Sequence, residues 1–179
     1  MRTEFHPPRG PWPLTGWAAA GLLSLSAALP AWAGEKPLMP ASVPKAYTQE
    51  CGSCHTAYPP GLLPAASWQR LMTGLDQHFG TDASLDEATV KQLATWLQAN
   101  AGTYKRVRSE APPQDRITQS AWFKREHRGI DAAVWSHASV RSAANCVACH
   151  SGAERGNFSE RGLRFPAGLD LRYRSAWDD

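Results

Sequence analysis

Sulfur is scarce in this chain: of 179 residues, four are cysteine and three methionine. The cysteines stand in two pairs, Cys51 with Cys54 and Cys146 with Cys149, and nowhere else. Disulfides scattered between loops, the usual framework of a small exported protein, are therefore not expected. Excess charge of one sign is also missing, since 19 Lys and Arg face 16 Asp and Glu for a formal +3. No segment has the dense basic face of a nucleic-acid reader, which argues against nucleic acid as a partner. Sustained period-two alternation is absent too, so a sheet-based fold is not expected. Long apolar runs are absent with one exception.

That exception lies near the N-terminus. Arg2 and Arg9 precede it, Trp17 to Leu29 are largely apolar, and Ala31-Trp32-Ala33 offers the small-x-small pattern of a cleavage site. A bilayer-spanning helix needs about 20 apolar residues, and this run is cut short by Pro30. Residues 1–33 read as a signal peptide cleaved after Ala33, with the mature chain exported to the periplasm. Its removal takes Arg2, Arg9 and Glu4 and leaves a formal +2. Basic patches remain at 104–108 and 155–174, apart from an acidic group of Asp82, Asp86 and Glu87. Patches of this kind solvate a surface or steer a protein partner.

Both cysteine pairs are followed at once by histidine, in "ECGSCHTAY" at 50–58 and "NCVACHSGA" at 145–153. C-x-x-C-H is the attachment signature of c-type haem. Two thiols add to the vinyl groups of one porphyrin, and the adjoining histidine sits beneath the iron as an axial ligand. Cys51, Cys54 and His55 make one such site; Cys146, Cys149 and His150 make the other. A zinc site would call for four nitrogen or sulfur ligands at close spacing. A redox dithiol would call for a thioredoxin-like βαβ pattern. Two complete copies that use every cysteine favour two covalently attached haem c groups.

Around these motifs the periodicity is helical. A short helix is expected from Pro44 into Cys51, then a turn-rich loop, "YPPGLLP", at 58–64. Trp68, Leu71, Met72, Leu75 and Phe79 predict a helix over 65–79 closed by Gly80. Ser84 and Glu87 form a capping box that opens a helix carrying Val90, Leu93, Ala94, Leu97 and Ala101. A helix from Thr118 through His127 and a shorter one leading into Cys146 follow, with loops beyond Gly152. The fold class is mainly α, with two small haem-binding domains. Residues 34–103 form the first, in an order that resembles class I cytochromes c. A linker at 104–117 leads to a loop-rich second domain with short helices at 118–179. So short a chain buries little core alone, and the porphyrin must supply apolar filling.

The second axial ligand decides function. Outside the first 33 residues and the two motifs, His78, His127 and His137 are the only histidines, and Met39 and Met72 the only methionines. His78 shares the apolar face of the 65–79 helix and is the expected ligand opposite His55, with Met72 more simply explained as packing. For the second iron, spacing favours His127, beside Phe123 and Ile130, over His137 without deciding between them.

The segments "YTQECGSCHTAYPPGLLPAASWQRLMTGLDQHFG" and "NCVACHSGAERGNFSERGLRFP" resemble the dihaem cytochrome c family typified by the Rhodobacter redox partner of the sphaeroides haem protein. The likeness spans roughly 46–166 and leaves the tail after Pro166 outside it. It implies two bis-histidine, low-potential haems, with His78 opposite His55 and His127, in "WFKREH", opposite His150; His137 has no counterpart. It also implies an oxygen-binding monohaem cytochrome as electron acceptor and a membrane b-type cytochrome as donor. An electron carrier rather than an enzyme is thus expected. The competing readings are a dihaem peroxidase using an open iron with His137 near Glu126, or a gas or redox sensor with a labile ligand.

Overall fold

In the computed structural model, which describes residues 10, 38–104, 107 and 110–178, helices begin at prolines and small polar residues. The expected signal peptide (save Gly10) and the basic side chains of Lys105, Arg106 and Arg108 lie outside the described residues. Helix α1, Lys45–Glu50, starts after Pro44, whose ring suits the first turn. Pro64 likewise precedes α2, Ala65–Thr73. Asp86 caps α3, Glu87–Asn100, by accepting from the Thr89 N–H at 3.0 Å. Ser120 caps α4, Ala121–Glu126, and Asp131 caps α5, Ala132–Ser136. Each cap satisfies a backbone donor that has no partner within its helix. No strand occurs among the described residues; two isolated bridges, His78 with Thr81 and His150 with Leu163, are the only β-pairings there. The protein is mainly α and loop-rich, as expected.

Residues Glu35–Asp179 form one compact unit containing two apolar clusters. In the first, α1 contributes Tyr47, α2 contributes Trp68 and Met72, and α3 contributes Leu93 and Leu97, four residues apart on one face. Burying each such side chain stabilises by about 1.5–3 kcal/mol. Tyr47 also meets Trp96 at a centroid distance of 4.7 Å, which ties α1 to α3. The second cluster is smaller: Val134, Val140 and Leu169, with Phe165, Tyr173 and Trp177 against it. Residues of the expected linker are anchored at several points, for Val107 is buried, Ile117 packs on the first cluster, and Asp115 pairs with Arg70.

Several helix boundaries differ from expectation. The 65–79 helix ends at Thr73, because Gly74 takes a non-helical conformation and the Thr73 hydroxyl bonds the Gln69 and Arg70 carbonyls. Leu75–Gln77 then make a single 3₁₀ turn, and His78 stands on extended backbone rather than on a helix. Asp86 displaces the expected Ser84 cap, since Ser84 is engaged by Asp82, whose carboxylate accepts its N–H at 2.9 Å. Ser120 displaces Thr118 in the same way, its buried hydroxyl accepting from Phe123 N–H at 3.0 Å. The helix expected to lead into Cys146 stops ten residues early at Ser136, and turns cover the interval.

Candidate functional site

Both C-x-x-C-H motifs fold into the same tight element. A 3₁₀ turn spans Cys51–Ser53 in one and Cys146–Ala148 in the other. In the second motif the His150 N–H reaches the Cys146 carbonyl at 2.8 Å, curling the histidine back beneath the cysteines. So tight a turn suits the two bonds to a single porphyrin that each motif must make.

Each motif histidine faces one of the two distal histidines preferred from the sequence. His55 and His78 have ring centroids 6.1 Å apart, and so have His127 and His150. Metal–imidazole bonds of about 2.0 Å, each extended by roughly 1.1 Å to the ring centre, put facing centroids about 6.2 Å apart. Both gaps therefore fit one iron between two imidazoles. His137 lies elsewhere, its Nδ1 2.8 Å from the Ser139 hydroxyl and accepting the Ser139 N–H. Met72 is buried within the first apolar cluster.

The protonation pattern suits ligation as well. Nδ1 of His55 is 2.7 Å from the Thr56 carbonyl, and Nδ1 of His127 is 2.9 Å from the Phe123 carbonyl. A carbonyl only accepts, so each Nδ1 carries the proton and leaves the Nε2 lone pair for a metal. Nδ1 of His78 and of His150 are buried without a hydrogen-bond partner. Burial is the main force lowering the pKa of His78, and the facing His55 and the Arg116 guanidinium add to it. His127 is lowered chiefly by burial, against the pull of the Phe123 carbonyl and Glu126. His150 falls to about 4, from burial first and then from the facing His127. All three thus favour the neutral form, the one in which an imidazole can take a metal.

Aromatic rings line both gaps. Tyr58 stacks on His55 with centroids 5.0 Å apart and Phe79 meets His78 edge-on at 4.8 Å. Phe123 stacks on His127 at 4.0 Å, and Phe158 meets His150 at 5.6 Å. The Tyr58 hydroxyl donates to the Ala144 carbonyl at 2.7 Å, so the segment after the first motif touches the segment before the second. Tyr47 in turn donates to the Tyr58 carbonyl. Phe79 and Phe123 were legible beside His78 and His127, but Tyr58 and Phe158 were not, although an aromatic three residues past His55 was an available signal.

The rival readings of the cysteines fare worse. All four are free of disulfides. Burial first, helped by Glu50, pushes the Cys51 thiol up to about 11, and burial does the same to Cys146. Among the described residues no group of three or more His, Cys, Asp or Glu could hold a metal ion by itself. A tight two-cysteine turn plus an opposed histidine pair is what a covalently attached, six-coordinate haem needs.

Two such sites on a loop-rich helical scaffold define a c-type cytochrome with two haems. The sequence profile of the dihaem cytochrome c family matches residues 47–158, and the chain belongs to that family. It is similar to two structures of the dihaem cytochrome c from Rhodobacter sphaeroides. One is 43% identical and covers 65% of this chain and 97% of its own, with a TM-score of 0.58; the other is 45% identical over 65% and 98%, with a TM-score of 0.57. A dihaem cytochrome c from Shewanella baltica is 35% identical, covers 70% of this chain and 96% of its own, and gives a TM-score of 0.60. No curated protein sequence matches the chain. Its cofactors are two covalently bound haem c groups, and its family is consistent with electron transfer.

Proposed function

We propose that His55 with His78 and His150 with His127 close both faces of the two irons, and that the protein is a low-potential periplasmic electron carrier. The observation that carries this reading is the pair of 6.1 Å histidine gaps, each matched to one metal. When bound, the haem groups supply a one-electron iron couple. The chain's own residues do the rest. The Thr56 and Phe123 carbonyls hold the Nδ1 protons of His55 and His127 and keep each ring turned toward the gap. Tyr58, Phe79, Phe123 and Phe158 pack against the four imidazoles and help fix their orientation. Histidine in place of methionine at the distal position holds the potential low.

With His55 and His78 holding one iron and His150 and His127 the other, a substrate would have to displace a histidine to reach either, so the reading is a carrier rather than an enzyme. His137, the acid–base candidate of the peroxidase reading, is engaged by Ser139 instead. The signal-like residues 1–33 support export. The family resemblance supports an oxygen-binding monohaem cytochrome of the sphaeroides haem protein type as acceptor, and a membrane b-type cytochrome as donor.

Electron paramagnetic resonance and near-infrared absorption of the oxidised holoprotein test the reading. Two low-spin bis-histidine species, with a reduced form inert to carbon monoxide, are expected. A high-spin fraction, or carbon monoxide binding without loss of a ligand, would overturn it.

A further inference from the structure

Three residues of the first site adopt a left-handed backbone that non-glycine residues avoid: Phe79 at φ 51°, Gln114 at 56° and Asp115 at 55°. The three are parts of one assembly. Asp115 accepts two hydrogen bonds from Arg70, at 2.8 and 2.6 Å, and its side chain is only 13% exposed. Arg70 belongs to α2, the helix that buries Trp68 and Met72 in the first cluster, so the 112–116 turn is anchored to the core. Backbone bonds from Asp115 N–H to the Pro112 carbonyl and from Arg116 N–H to the Pro113 carbonyl close the turn. Arg116 next projects from it over the Phe79 ring, 4.3 Å from the centroid. Phe79 directly follows His78 and touches its ring. A cleft of about 370 Å³ beside His78 is bounded by these same side chains.

We propose that Arg116 is a charged positioning residue of the first haem. Held by the Arg70–Asp115 clasp, it seats the His78 loop through Phe79 and raises the reduction potential of the first iron relative to the second. A fixed cation favours the state that has gained an electron. The guanidinium lies within about 9 Å of the His78 ring, less than a Debye length in dilute buffer, so salt does not erase its effect. At the second site the cations flanking His127 are engaged elsewhere: Arg125 pairs with the Glu126 carboxylate at 3.0 Å, and Arg128 donates to the Arg125 carbonyl at 3.4 Å. The backbone strain at three positions is the cost of holding a cation against this loop. The inference rests on His78 as an iron ligand.

The test is spectroelectrochemical titration of the two-haem protein with Arg116→Gln, Arg116→Lys and Asp115→Asn, the first haem being marked by the low-spin signal that His78→Ala removes. Arg116 is exposed, so its substitution leaves the core intact. Arg116→Gln should shift the reduction equilibrium of the first haem roughly fivefold toward the oxidised form, without moving the second. Arg116→Lys should recover most of that shift, and Asp115→Asn, which takes an anion from beside Arg116, should shift the first haem the opposite way, toward the reduced form. Unchanged first-haem titration in Arg116→Gln, or equal shifts in the Gln and Lys variants, would overturn the proposal. Failure of His78→Ala to alter any haem signal would instead overturn the ligand assignment on which it rests.

Discussion

At the first site the two histidine rings lie 21° from parallel; at the second they are 74° apart, close to perpendicular. The separation is the same, yet the supports differ. His78 stands on a strained loop clasped by Arg70, Asp115 and Arg116, beside a large apolar cluster built by three helices. His127 caps the short helix α4 and is covered by Phe123 and Trp135, near a cluster built on three buried side chains. One motif therefore tolerates two quite different distal supports. The shared requirement is a neutral imidazole at one metal's reach, and everything behind that imidazole is free to differ.

Spectroscopy offers the largest effect. Parallel imidazoles split the iron d orbitals and perpendicular ones leave two nearly degenerate, so one ordinary rhombic signal and one strongly anisotropic low-spin signal are expected. His78→Ala should abolish the first and His127→Ala the second. Two identical signals in the unmodified holoprotein would break the contrast at its root.

Stability should divide the two regions next. Leu93→Ala or Leu97→Ala, in the first cluster, should cost about 2–5 kcal/mol. Val134→Ala, in the second, should cost roughly 2 kcal/mol from two lost methyl groups and the cavity they leave. Urea melts followed at each haem's own absorption would check both values, and equal losses would erase the difference between the clusters.

Tyr58→Phe probes the contact between the regions, since it removes the hydrogen bond to the Ala144 carbonyl but keeps the ring on His55. A loss of about 1 kcal/mol is expected, with the low-spin signals retained. The smallest effect concerns pH. The Arg70 hydrogen bonds hold the Asp115 carboxyl below its ordinary value of 3.8. The pair therefore stabilises the protein fully above that value, and its contribution is lost as pH falls through the depressed one. Asp115→Asn should flatten this acid limb in denaturation curves measured between neutral pH and pH 3, whereas an unaltered limb would show the pair to be inert.

Legibility from sequence was uneven for physical reasons. Both attachment motifs could be read directly, because two thioether bonds and an adjacent ligand demand fixed residue types at fixed short spacing. Helical content and Leu93–Leu97 packing were legible from the 3.6-residue period. The end of α2 was misjudged, because Leu75 and Phe79 continue the apolar period past Gly74 while the backbone leaves the helix there. The expected caps at Ser84 and Thr118 gave way to Asp86 and Ser120, because neighbouring polar side chains compete for the capping role.

By itself the sequence determined the cofactor chemistry, the number of haems and the short list of histidines able to reach iron. The first two are local information, carried by the C-x-x-C-H residues within five positions of one another. Only the tertiary structure decided at what ring angle each histidine meets its partner, and with what charge and packing behind it. Those relations depend on segments distant along the chain, such as Tyr58 with Ala144 and Arg70 with Asp115, being brought together by burial of the two apolar clusters.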